Sequence, residues 1–350
     1  MNHVAKFGIG AAIIVVVIVV NFIPNTVFQL SNNGTSSTDV LRIGYRPNIN
    51  DAPDVIGIGN GDFQKKLGDT KIEPHIFNAG PSQIEALFAN QIDVAFVGPG
   101  PTINGYVKSD GDLRVISGVA SGGAVFVVRN DAGINSVADF AEKKFSSPQL
   151  GNTQDIALRT YLLNNGYKTT DNGGSVTVMP ANNPDIVTLM LKKEIDGAWV
   201  PEPWGTILVH QANAKIFLDE RDLWPESKFV TGNIVVKPEF LKNHPDIIKK
   251  LLEANVNEIN WINNNPDQAR QTLNSELKKL TGKTIDDDVL KESFSKVDLT
   301  YDPISSSLYK SADDAFNIGF LGNTKPDLSK IYDLTILNEV LEEEKLAAIQ

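Results

Sequence analysis

Two stretches of this sequence share one pattern. Ile92-Asp-Val-Ala-Phe-Val97 and Ile195-Asp-Gly-Ala-Trp-Val200 both open on Ile-Asp and continue apolar. Both stop at proline turns, Gly98-Pro-Gly-Pro101 in one and Pro201-Glu-Pro203 in the other. A short apolar run bounded by turns reads as a buried strand. Each run follows a short helical pattern that ends in polar residues. Strands reached from helices imply layers of helix on sheet. The chain is therefore predicted to fold as two α/β lobes of similar build, not as a tandem repeat.

The rest of the sequence keeps this order. Val40-Leu-Arg-Ile-Gly-Tyr45 alternates as a strand should and ends in the polar loop Arg46-Pro-Asn-Ile-Asn-Asp51. Residues 71–77 form a second strand, and Asn78-Ala-Gly-Pro-Ser82 caps a helix over 82–89. Further strands are predicted at 113–119, 124–128, 175–179, 214–218 and 234–236. Strands alternating with helices predict parallel sheets, in which ligands sit at the carboxyl ends of the strands. After Pro238 the sequence turns helical, over 246–263, 266–280, 286–295, 305–320 and 334–348. The stripe Ile247, Leu251, Leu252, Val256, Ile259 has the spacing of a core-facing helix.

Residues 7–23 are almost wholly apolar, with Lys6 before them and Pro24-Asn25 after. About 17 helical residues reach roughly 26 Å, close to the bilayer core. An N-terminal transmembrane helix within 1–25 is favoured over a cleaved signal peptide, because no small-x-small site follows. Lys6 orients the start inside and the body outside. Residues 26–39 are a polar tract without periodicity, a flexible linker. Asn33-Gly-Thr35 makes Asn33 a candidate glycosylation site. The body is expected to be extracytoplasmic, tethered to the cell membrane or released after cleavage.

A net charge of -11 without a basic stripe argues against nucleic acid. The absence of cysteine removes thiolate chemistry, disulfides and cysteine-based zinc sites. His3, His75, His210 and His244 are scattered without ligand spacing. No nucleophile elbow, P-loop or dinucleotide fingerprint stands at a strand-to-helix junction. No catalytic residue, metal or cofactor is assigned.

Four turns are better candidates for binding. In Ser147-Pro-Gln-Leu-Gly-Asn-Thr-Gln-Asp155, Pro148 and Gly151 turn the chain and Asn152 or Thr153 can cap the helix that follows. A helix N-terminus offers free N–H groups and roughly half a positive charge, which suits an anion. The turns at Gly80/Ser82, Gly98 to Thr102 and Ser121 to Gly123 can aim further donors into the same crevice. The candidate ligand contacts are Gly80, Ser82, Gly98, Thr102, Ser121, Gly122, Asn152, Thr153, Gln154 and Asp155. Tyr45 and Asn48 join them from the first strand and its loop. Glu202, between two prolines, can meet a ligand amine or clamp the other lobe. Trp199 can stack on a ligand, although its apolar neighbours favour packing.

The ordered set of motifs resembles the solute-binding proteins of ABC importers for aliphatic sulfonates, nitrate and taurine. The likeness covers about 40–320 and rests on Leu41-Arg-Ile-Gly-Tyr45, Ala79-Gly-Pro-Ser82, the two Ile-Asp strands and Pro201-Glu-Pro-Trp204. Leu150-Gly-Asn-Thr-Gln-Asp155 and Asp219-Glu-Arg-Asp-Leu-Trp224 resemble a sulfonate-type subgroup. The resemblance implies an α/β type II periplasmic-binding-protein fold, two lobes joined by two crossing strands. Residues 40–123 and 232–350 would form lobe 1 and 124–231 lobe 2, with crossings near Gly123 to Phe126 and Thr231 to Ile234. It implies a receptor that closes on a small organic or inorganic anion and delivers it to an ABC permease and its ATPase. The sequence departs from the pattern in its apparent anchor, and in showing Arg46 alone as a basic residue among the cleft turns. An enzyme like the thiamine pyrimidine synthase would want a cleft lysine and histidine, and no histidine falls on a predicted cleft turn. A ligand sensor on the same fold would need a signalling partner in trans.

Overall fold

A computed structural model describes residues 39–349. The predicted membrane helix, most of the linker and Asn33 lie outside the described residues. Among the described residues no helix is long and apolar enough to cross a membrane.

Eleven strands form two sheets among the described residues. They are β1 (Val40–Tyr45), β2 (Lys71–Ile76), β3 (Val94–Val97), β4 (Arg114–Gly122), β5 (Ala124–Arg129), β6 (Lys144–Ser147), β7 (Thr177–Pro180), β8 (Gly197–Pro201), β9 (Ala214–Asp219), β10 (Val230–Val236) and β11 (Val297–Leu299). One sheet has six strands in the order β11-β4-β10-β3-β1-β2, the other five in the order β7-β6-β8-β5-β9. The two Ile-Asp stretches supply β3 and β8, one strand to each sheet. The chain leaves the six-stranded sheet at Gly123 and re-enters it with β10. Gly123 has φ +69, and a Cβ there would meet Asn50 Nδ2 at 2.8 Å, so the crossing needs glycine.

The expectation of parallel sheets needs correction. β1 runs parallel to β2 and β3, and β6 parallel to β7 and β8. β10 runs antiparallel to both β3 and β4, and β5 antiparallel to both β8 and β9. A parallel neighbour requires a crossover that brings the chain back to its starting edge. β4 passes directly into β5, so β5 enters its sheet from the opposite end.

The six-stranded sheet buries Leu41, Ile43, Phe96 and Ile234 under the helix Pro245–Asn264. The stripe Ile247, Leu251, Leu252, Val256, Ile259 lies wholly in this core. The second lobe packs around rings. Phe126 stacks on Trp199 at 5.3 Å and meets Phe140 and Phe145 edge-on. Such rings bury large areas, and offset or edge contacts add to that. The three-residue β11 and the helices Trp204–Gln211 and Pro238–Asn243 have no counterpart among the predicted elements.

Candidate functional site

The turns at the strand ends converge on a polar cavity between the two sheets. The loop after β1 contributes Arg46, Asn48 and Asn50, and the loop after β2 contributes Asn78 and Ala79. Facing them are Asn152, Thr153 and Gln154 at the start of the helix Thr153–Asn164, and Asn183 at the start of the helix Asn183–Leu191. Pro201 and Thr231 close the sides. Ala79, Asn152 and Asn182 are the N-caps of three helices, none with a side-chain cap bond. Their first-turn N–H groups have no partner within the helix. Three helix N-termini and one guanidinium thus surround one small volume, a setting suited to negative charge.

Arg46 is 6% exposed, and its guanidinium donates to Asp51 Oδ1 at 2.7 Å. Burial raises the Asp51 carboxyl above the usual range, against the pull of Arg46. The Asp54 carboxyl is raised well above its ordinary value, by burial and by Asp51 beside it. Arg46 Nε and the Oδ1 atoms of Asn50, Asn152 and Asn183 are buried without a protein partner. Unpaired buried polar atoms are costly unless something else bonds them. The walls leave about 10 Å³ between them, room for about one water.

The lobes touch at several points around this cavity. Asn48 Oδ1 accepts from Trp204 Nε1 at 3.1 Å, and Ile49 N–H donates to the Glu202 carbonyl at 3.4 Å. Thr153 reaches the Gly98 turn, where a Cβ on Gly98 would collide with its Oγ1. Asn50 braces the crossings, donating to the Gly122 carbonyl at 2.9 Å and Thr231 Oγ1 at 2.8 Å.

The predicted contacts therefore divide. Asn48, Asn152, Thr153 and Gln154 line the cavity. Gly98 touches its wall through Thr153, and Gly122 holds Asn50. Gly80 packs on Val97 and Pro101. The hydroxyls of Ser82 and Thr102 donate to the carbonyls of Ala79 and Gly98, and so turn back onto the first turns of their own helices. Ser121 Oγ accepts from Phe229 N–H at 3.2 Å. Asp155 accepts from Ser147 Oγ, Gly151 N–H and Arg159, holding its own turn. Tyr45 lies in the core, its phenol pushed up to about 12, first by burial. Trp199 is core too, donating to Glu220 at 2.6 Å. Glu202 accepts from Thr206 and pairs with Lys296 Nζ at 3.3 Å, away from the cavity lining.

Sequence reasoning missed Asn50, Asn78, Ala79, Asn183, Pro201 and Thr231, and noted Arg46 only as an exception. Asn183 was within reach: like Asn152, it is an asparagine opening a helix after a strand. Among the described residues no group of His, Cys, Asp and Glu is arranged to hold a metal ion.

The chain is similar to the alkanesulfonate-binding protein SsuA from Xanthomonas axonopodis pv. citri, with a TM-score of 0.70 and 16% identity over 85% of this chain and 99% of that one. It is equally similar to the periplasmic nitrate-binding protein NrtA from Synechocystis, with a TM-score of 0.70 and 16% identity over 87% and 89%. By sequence it is 24% identical to a Bacillus subtilis protein named "Putative aliphatic sulfonates-binding protein", over 87% of this chain and 88% of that one. A "Putative binding protein" of Brucella abortus is 25% identical over 56% of this chain, a match that spans 59% of that relative's length. The model of the NMT1-like family matches residues 34–275, well over half of the chain, and the chain belongs to that family.

Proposed function

We propose that this chain is the extracytoplasmic solute-binding component of an ABC importer, taking a small anion of the aliphatic sulfonate type. One observation carries the reading: Arg46, buried, stands where three helix N-termini converge. Its Nε and the first-turn N–H groups are donors that an oxyanion satisfies. The names of the Bacillus relative and of the SsuA and NrtA structures support the same class of ligand. His75, His210 and His244 lie outside the cavity lining, which fits binding without chemistry.

Residues 40–123 and 232–350 move as one lobe in this proposal, and 124–231 as the other. A sulfonate is larger than the space between the walls, so the lobes part to admit it. Donors from both lobes then bond the ligand, and this differential binding favours the closed form. A micromolar ligand supplies about 8 kcal/mol. The closed form docks on a permease with its ATPase, and the N-terminal segment tethers the receptor to the membrane.

The test is calorimetric titration with methanesulfonate, taurine, nitrate and an uncharged sulfone. The anions are expected to bind and the sulfone to fail. Arg46→Met should weaken the best anion about a hundredfold, the scale of a buried charge-assisted bond. Equal binding of the sulfone, or an unchanged affinity in Arg46→Met, overturns the proposal.

A further inference from the structure

A second cavity lies on the far side of Thr153, with walls from both lobes. It measures about 460 Å³, within the range that accepts small organic ligands. The helix Thr153–Asn164 forms one wall and the helix Ser305–Asn317 the other, with Glu220 and Trp224 between them. Most of the surface is apolar, from Ile156, Tyr161 and the Trp224 and Phe229 rings, which stack at 5.2 Å.

The charges in this cavity do not cancel. Lys310 lies 4.6 Å over the Trp224 ring, and its charge is taken by Asp314 at 2.7 Å. Glu220 is 3% exposed, with Oε2 accepting from Trp199 Nε1 at 2.6 Å. Among the described residues it has no cation as an ion-pair partner. Burial, with Asp219 adding to it, pushes its carboxyl up to about 7, while the indoles of Trp199 and Trp224 and the charge of Lys310 pull it down. On the same cavity wall Thr160 Oγ1 is buried without a partner. A buried carboxylate is costly until a cation reaches it. The apolar walls demand a hydrocarbon body on that cation.

We propose that this cavity binds a small organic cation, an ammonium or amidinium on an aromatic or aliphatic body. Glu220 is its counter-ion and Thr160 Oγ1 a second acceptor. The site is separate from the Arg46 cleft and takes the opposite charge.

The experiment titrates the full chain with benzylammonium at pH 8, followed by tryptophan fluorescence and calorimetry. Benzyl alcohol and benzoate are the neutral and anionic controls. Benzylammonium is expected to bind at least about tenfold more tightly than either, the scale of one charge-assisted bond. Its affinity should rise from pH 6 to pH 8. Glu220→Gln keeps an acceptor for Trp199, and should cost the cation about tenfold and flatten that pH profile while leaving benzyl alcohol unchanged. Ser311→Phe, which fills the cavity from the opposite wall, should abolish binding and tests the site even where Glu220→Gln folds poorly. The proposal is overturned by equal binding of the three probes, by full affinity in Ser311→Phe, or by unaltered cation affinity in a folded Glu220→Gln.

Discussion

Thr153 Oγ1 accepts a hydrogen bond from the Gly100 N–H at 3.3 Å, across the gap between the two lobes. The same oxygen sits where a Cβ on Gly98 would collide with it. One hydroxyl thus rests on a stretch of backbone that only glycine leaves open. Asn152 lines the polar cavity and Gly98 does not; the two turns meet through Thr153, which is their point of contact.

Gly98→Ala is the sharpest test of that contact. The added methyl overlaps Thr153 Oγ1 only when the lobes are together. Overpacking of this kind costs about 1–3 kcal/mol, charged here to the closed form alone. Anion affinity should fall roughly 5- to 150-fold with little change in the melting temperature of the unliganded protein. Calorimetry and thermal melts together decide it. A loss of stability matching the loss of affinity would show that the strain is not specific to closure.

Much of this arrangement was legible in the sequence, for a definite reason. Strand ends and helix starts are local features, marked by proline turns such as Gly98-Pro-Gly-Pro101 and by caps such as Asn152. Four residues of the cavity lining, Asn48, Asn152, Thr153 and Gln154, came from that grammar. What local pattern cannot fix is which way a side chain turns. Ser82, Thr102 and Asp155 occupy the predicted turns, yet the two hydroxyls donate to backbone carbonyls of their own helices and the carboxylate accepts from the backbone of its own turn. Asn50 and Thr231 meet across 181 positions of sequence, a pairing that only the doubled crossing of the chain creates. Strand direction was hidden in the same way, because β5 and β10 look like any other apolar run.

Trp199 separates packing from recognition. It is fully buried, stacked on Phe126 and bonded to Glu220. Trp199→Ala should cost about 3–5 kcal/mol of stability by opening a large void. Trp199→Phe should cost less while leaving the anion affinity of the Arg46 cleft within about twofold, since the ring does not line that cavity. Denaturant melts and titrations measure the two effects separately. A tenfold weaker anion in a well-folded Trp199→Phe would put this residue in the binding machinery after all.

Asn50 ties both crossing segments to the loop after β1. Asn50→Ala leaves the Gly122 carbonyl without its buried donor, which costs about 1–3 kcal/mol. Faster exchange is expected at the amides around Gly122 and Thr231, ahead of the rest of β4 and β10. Hydrogen exchange read by mass spectrometry resolves those segments. Protection unchanged there would mean that the ladder alone holds the crossings.

Glu258 sets a pH dependence of stability. Burial, with Asp62 adding to it, pushes its carboxyl up to about 7. The unfolded chain releases that proton near an ordinary glutamate value of about 4.3. Between these values the folded state binds more protons than the unfolded state, so stability falls as pH rises. The contribution is complete below the lower value and lost above the upper one. Glu220 titrates over the same window, so Glu258→Gln should remove only part of the slope. Glutamine imitates the protonated acid at every pH. The variant should therefore match the parent at pH 4.5 and melt at least about 2 °C higher at pH 8. Thermal melts across that range decide it, and a variant that keeps the full parental slope would place the coupled proton elsewhere.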